Sequence, residues 1–128
     1  MRKIINSARA PRAVGPYSQA AAGEHLICIS GQLPIEPETG EMASTLEGQV
    51  RQCMKNVIAL AEEGGSDKDG ILKCGLFIRD MKEFEKINSV YQEFFCGDAP
   101  ARFVCLVYNK NTQNCRGDSP KLQREIPQ

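Results

Sequence analysis

Arg102 stands in the string Pro100-Ala101-Arg102, directly ahead of the apolar run Phe103-Val104-Cys105-Leu106-Val107. A guanidinium at the mouth of a strand is a planar fork that meets a carboxylate with two parallel hydrogen bonds. The sequence shows no paired nucleophile and base, no glycine-rich phosphate loop and no cluster with metal-ligand spacing. A clamp for a small acid is therefore its clearest chemical handle. Arginines in such places also cap helix ends or pair with surface carboxylates, and placement alone leaves those roles open. The lone histidine, His25, opens a short apolar segment and reads as structural rather than catalytic.

The six cysteines, at 28, 53, 74, 96, 105 and 115, have the count of a disulfide scaffold but not its spacing. No C-x-x-C pair is present, which argues against zinc. Cys28, Cys53, Cys74 and Cys105 fall inside apolar segments, where a free thiol acts as a small buried hydrophobe. The expectation is free thiols in a reducing compartment.

These residues need a scaffold, and the pattern supplies one. Residues 3–5 form a short candidate strand. Pro11, Gly15 and Pro16 make residues 8–16 irregular. Residues 17–22 and 25–30 read as strands joined at Gly23-Glu24, and Pro34, Pro37 and Gly40 mark a loop. Ser44 and Glu47 have the spacing of a capping box, Leu46, Val50, Cys53, Met54, Val57 and Ala61 keep helical period, and Gly64-Gly65 ends the helix. Residues 71–78 read as a central strand. Asp80 and Glu83 open a second helix whose aromatic stripe, Phe84, Ile87, Tyr91 and Phe94, reads as core, and Gly97 and Pro100 stop it. Residues 103–108 give another strand.

The order β-β-β-α-β-α-β predicts an α+β domain with two helices on one face of a mixed sheet. The bare face calls for a second copy. The 128 residues fit one domain, 1–128, with an atypical polar tail from Asn109. Lys+Arg and Asp+Glu are equal at 16 each, which argues against a nucleic-acid partner. No apolar run approaches the ~18 residues of a membrane span, and the first residues lack the apolar core of a signal peptide. The expected location is cytoplasmic.

Four strings occur in order: Gly15-Pro16-Tyr17-Ser18-Gln19-Ala20, Ser30-Gly31-Gln32-Leu33-Pro34, Pro37-Glu38-Thr39-Gly40 and Pro100-Ala101-Arg102. Together they resemble the RidA family, also called YjgF or L-PSP, over about residues 3–107. The resemblance implies a homotrimer of chorismate-mutase-like protomers, with sheets forming a central barrel and active sites in clefts between subunits. It implies hydrolysis of reactive 2-imino acids, such as 2-iminobutanoate and 2-iminopropanoate, to 2-keto acids and ammonia, with no cofactor and no metal. By motif match, Arg102 takes the carboxylate, and Tyr17, Ser30, Gly31 and Asn88 line the cleft, with Tyr17 beside Arg102 as the candidate catalytic pair. On chemistry alone, Tyr17 can equally pack, Ser30 satisfy a turn and Asn88 sit as a helix-surface amide. The family also carries ribonuclease and translation-inhibitor labels, for which the neutral charge and single histidine are poor support. A non-catalytic binder of small carboxylates, or a regulatory or chaperone-like trimer, is the alternative.

Two features depart from the family pattern. Members often carry Cys two residues after the Arg, whereas here Val104 holds that place and Cys105 follows. The family's last strand carries a proton-relay Glu after a Pro-Lys turn, and residues 109–118 hold no Glu. Read one base later, codons for residues 109–118 can encode Ile-Lys-Ile-Pro-Lys-Thr-Ala-Val-Glu-Ile, the kind of tail the family has. This raises the hypothesis of a frameshifted tail; coding DNA whose codons cannot yield that reading removes it.

Overall fold

A computed structural model describes residues 1–107. The elements run β1 (Lys3–Ile5), β2 (Ala20–Ala22), β3 (Ile27–Ile29), α1 (Leu46–Glu63), β4 (Lys73–Ile78), α2 (Phe84–Tyr91) and β5 (Ala101–Leu106), with 3₁₀ turns at Lys68–Gly70, Met81–Glu83 and Gln92–Phe94. The predicted α+β order with two helices holds. The readings that fall on the tail, including the missing Glu and Cys115, lie outside the described residues.

Several boundaries move for physical reasons. Thr45, not Ser44, caps α1: its backbone is extended and its Oγ1 accepts from the Gly48 amide at 3.1 Å. Asp80 caps the 3₁₀ turn ahead of α2, through Oδ1 to the Lys82 amide at 2.9 Å. β5 begins at Ala101, because its parallel register with β4 pairs Lys73 with Ala101 and Cys74 with Arg102. Arg102 therefore lies inside the strand rather than ahead of it.

Among the described residues the strands form two sheets, not the single sheet expected. β1, β2 and β3 make an antiparallel meander, and β4 and β5 make a parallel pair. Each sheet has its own core. Ile5, Ala10 and Ala20 close on Leu60 of α1 under the first sheet. Met54 of α1 meets Tyr91 and Phe95, with Cys74 and Leu76 packed against them, under the second. Fully burying a side chain the size of Ile5, Leu60 or Met54 contributes about 1.5–3 kcal/mol.

Strand alternation sends Cys74 and Leu76 toward the helices and Gly75 and Phe77 outward. On that outer face Phe77 and Phe103 meet edge to face, with centroids 6.0 Å apart. Gly75 leaves room for this ring, since a Cβ there would lie 2.2 Å from the tip of Phe103 and displace it. The same alternation overturns two cysteine readings: Cys28 and Cys105 face outward and are exposed, while Cys53 and Cys74 are half-buried. Cys28, Cys53, Cys74, Cys96 and Cys105 are free thiols.

Candidate functional site

Arg102 is the second residue of β5 and points to the helix-covered side, where it is half-buried. Its Nη1 donates to Asn88 Oδ1 at 2.7 Å. Its guanidinium carbon lies 5.4 Å from the Phe84 ring centroid and 4.9 Å from that of Tyr91, within cation–π range. Phe84, Asn88 and Tyr91 are spaced i, i+4, i+7, so one stripe of α2 makes all three of these contacts. Asn88 uses its carbonyl oxygen on one N–H, and a guanidinium carries five. The arrangement suits a cation with donors left for an acid.

Tyr91 is buried, and its hydroxyl lacks a hydrogen-bond partner of good geometry among the described residues. Burial first, and the neighbouring Cys74 thiol second, push this phenol well above its ordinary range, so the ring is neutral.

Tyr17 and Ser30 form a second group. Both line a hollow of about 400 Å³, together with Arg2, Ile4 and Cys28. Tyr17 is half exposed, and its hydroxyl accepts from the Val14 amide at 3.3 Å. Ser30 donates to the Ser18 carbonyl at 2.6 Å, which ties the end of β3 to the segment carrying Tyr17. Gly31 follows, exposed, with open space where a Cβ would be. The structure thus brings Arg102 to Asn88 and Tyr17 to Ser30, but the hollow's lining does not include Arg102 or Asn88. His25 lies exposed in the turn before β3, beside Glu24 at 3.8 Å.

Two buried amides fix the loops around this second group. Gln19 accepts from the Ser7 amide at 2.7 Å and donates to the carbonyls of Ser7, Ala10 and Pro11. Asn56, fully buried in α1, donates to the Leu33 and Ile35 carbonyls at 3.1 and 3.0 Å, and so anchors the segment after Gly31. The motif reading named Gln19 without a role and missed Asn56. The signal for Asn56 was present, since an amide falls three residues after Cys53 and four before Leu60, on the apolar stripe.

The profile of the family described as endoribonuclease L-PSP matches residues 7–113. A RutC family protein of Pyrococcus horikoshii is 38% identical over 108 residues, spanning 84% of this chain and 86% of that one. TdcF of Escherichia coli, named as a reactive intermediate deaminase, is 40% identical over 95 residues, or 74% of each chain. The crystal structure of TdcF with bound serine superposes with a TM-score of 0.80 at 37% identity, over 82% of this chain and 85% of that one. The chain belongs to the L-PSP family, to which the proteins called RidA and YjgF also belong. Other matched structures are named for endoribonuclease or translation initiation inhibition.

Proposed function

We propose that this protein binds small 2-imino and 2-keto acids through Arg102 and hydrolyses the imino acids. Water adds to the imine carbon, the C–N bond breaks, and a 2-keto acid and ammonia leave. The observation that carries the reading is the Arg102 guanidinium, held by Asn88 and two rings with N–H donors to spare. The name of TdcF and the serine bound in its structure, a small molecule with a carboxylate, support the same chemistry. An iminium carbon is already electrophilic, so orientation of substrate and water supplies much of the rate. The Gly31 backbone and the Tyr17 hydroxyl are the candidate groups for the imine or water.

The working unit in this reading is a homotrimer. Arg102 with Asn88 and Tyr17 with Ser30 are separate groups in one protomer, and a cleft between protomers joins them. The outer apolar face with Phe77, at 68% exposure, and Phe103, at 45%, is the surface that neighbouring copies cover. Light scattering checks this: about three times 14.1 kDa is expected, and a monomer at micromolar concentration overturns it.

A second reading is a carboxylate binder without turnover, favoured by the absence of Glu from residues 109–118. Release of ammonia from freshly generated 2-iminobutanoate faster than in buffer alone separates the two. General acid–base assistance contributes roughly 10²–10⁴-fold. A chain whose tail from residue 109 is replaced by the alternative reading should therefore turn over at least ~10²-fold faster than the chain as it stands. Equal rates would show that a tail carboxylate is not needed. Ammonia release no faster than the uncatalysed background from either chain would leave the binder.

A further inference from the structure

We propose that Phe84 and Tyr91 of α2 are positioning residues for Arg102: their rings hold the guanidinium in one orientation, so that its free N–H edge is presented ready-made to the acid. The inference rests on the proposed role of Arg102 as a carboxylate clamp and assigns it a mechanical support.

Four observations combine. First, both rings lie within cation–π distance of the guanidinium, at 5.4 and 4.9 Å. Second, the guanidinium has one described hydrogen bond, to Asn88, and a single bond fixes neither its tilt nor its rotation about that contact. Third, the shelf itself is held: Tyr91 is buried, packs on Phe95 at 5.2 Å, and belongs to the core cluster with Met54. Fourth, the Tyr91 hydroxyl makes no good hydrogen bond among the described residues, so the ring, not the phenol, is what the site uses.

The physical consequence is preorganisation. A free arginine side chain has several rotatable bonds, and a ligand must pay for fixing them when it binds. A guanidinium already laid on an aromatic shelf loses little on binding, and its charge stays fully available because rings offer no competing carboxylate. Among the described residues no acid pairs with Arg102, although Arg9 and Arg51 pair with Glu62 and Glu93. The shelf holds the cation without neutralising it.

The test uses the full chain and 2-oxobutanoate as the probe, with affinity read by calorimetry and turnover by 2-iminobutanoate hydrolysis. Phe84→Leu should weaken 2-oxobutanoate about ten-fold, the scale of a partly desolvated cation–π contact. KM should rise more than kcat falls. Tyr91→Leu should act in the same direction, and Tyr91→Phe, which keeps the ring, should bind like the parent chain. Ring-current shifts on the Arg102 side-chain protons should diminish in Phe84→Leu and persist in Tyr91→Phe. Tyr91→Leu is a core truncation and can fail to fold; the half-buried Phe84 and the proton shifts keep the proposal testable. Unchanged affinity and unchanged Arg102 shifts in a folded Phe84→Leu would overturn the shelf while leaving the clamp intact. Unchanged 2-oxobutanoate binding in Arg102→Ala would remove the clamp itself, and the shelf with it.

Discussion

The two halves of the candidate site are held by opposite means. Around Tyr17 and Ser30 the fastening is polar and directed at the backbone. Gln19 makes four hydrogen bonds to residues 7–11, Ser30 ties to Ser18, and Asn56 ties to Leu33 and Ile35. Around Arg102 the fastening among the described residues is aromatic, with one hydrogen bond to a side chain. Irregular backbone carries many donors and acceptors that need partners, so a loop is best pinned by a buried amide. A charged side chain that must keep donors free for a ligand is best pinned by rings, which attract the cation and leave its N–H groups alone.

The largest contrast should come from Gln19→Ala. It strips partners from one part-buried N–H and three carbonyls, of which the Ala10 contact is fully buried, and unsatisfied buried groups cost roughly 1–3 kcal/mol each, less where water enters. We expect a loss of about 3 kcal/mol in global stability by denaturant titration. Arg102→Lys should instead leave stability nearly unchanged. A Gln19→Ala protein as stable as the parent chain would show that the N-terminal loop is not held by this amide.

Arg102→Lys should act on binding. Lysine keeps the charge but loses the fork and stacks less well on Phe84 and Tyr91. Affinity for 2-oxobutanoate should fall by about 1.5–3 kcal/mol, the range for charge-assisted hydrogen bonds. Calorimetry showing equal affinity would mean that the acid, if bound, is held elsewhere.

Much of this was legible in the chain. Helical period and the glycine stops located both helices, and the four motif strings led to the family. Less legible was how the strands are grouped, because Ala20–Ala22 and Ile27–Ile29 are too short for their period to say which neighbour they pair with. Exposure of Cys28 and Cys105 was misread for a related reason. A continuous apolar run does not reveal which alternate residues face the helices, and here the odd positions of β5 face out. The aromatic stripe of α2 reads as core, and Tyr91 is buried there. What the spacing did not show is that a partner strand brings Arg102 across the same stripe, a contact set by the Cys74–Arg102 register.

Thiol reactivity should separate the two faces. Cys96 and Cys105 are both exposed in one protomer, but only Cys105 lies on the outer sheet face with Phe103. With a trimer closing on that face, Cys105 should react with a thiol reagent several-fold more slowly than Cys96 in the assembled protein and catch up on dilution. Mass mapping after brief labelling reads this. Equal rates for the two at all concentrations would argue that the Phe77–Phe103 face stays open.

A last contrast concerns pH and the helix that anchors the loop after Ser30. Cys53 of α1 donates its thiol to the Gln32 carbonyl at 3.4 Å, beside the anchor supplied by Asn56. Burial pushes this thiol up to about 11 from an ordinary value of 9.0. The unfolded chain therefore releases this proton first as pH rises. Above the unfolded value the native state holds more protons than the unfolded one, and stability falls with pH until the folded value is reached. Between about pH 8.5 and pH 11 the parent chain should lose stability more steeply than Cys53→Ala, which has no proton to release. Below that window the two curves should run parallel, with the variant offset downward by the lost packing. Denaturant titrations from pH 7 to pH 10.5 give both slopes. Parallel curves throughout would mean that Cys53 ionises as readily in the fold as in water.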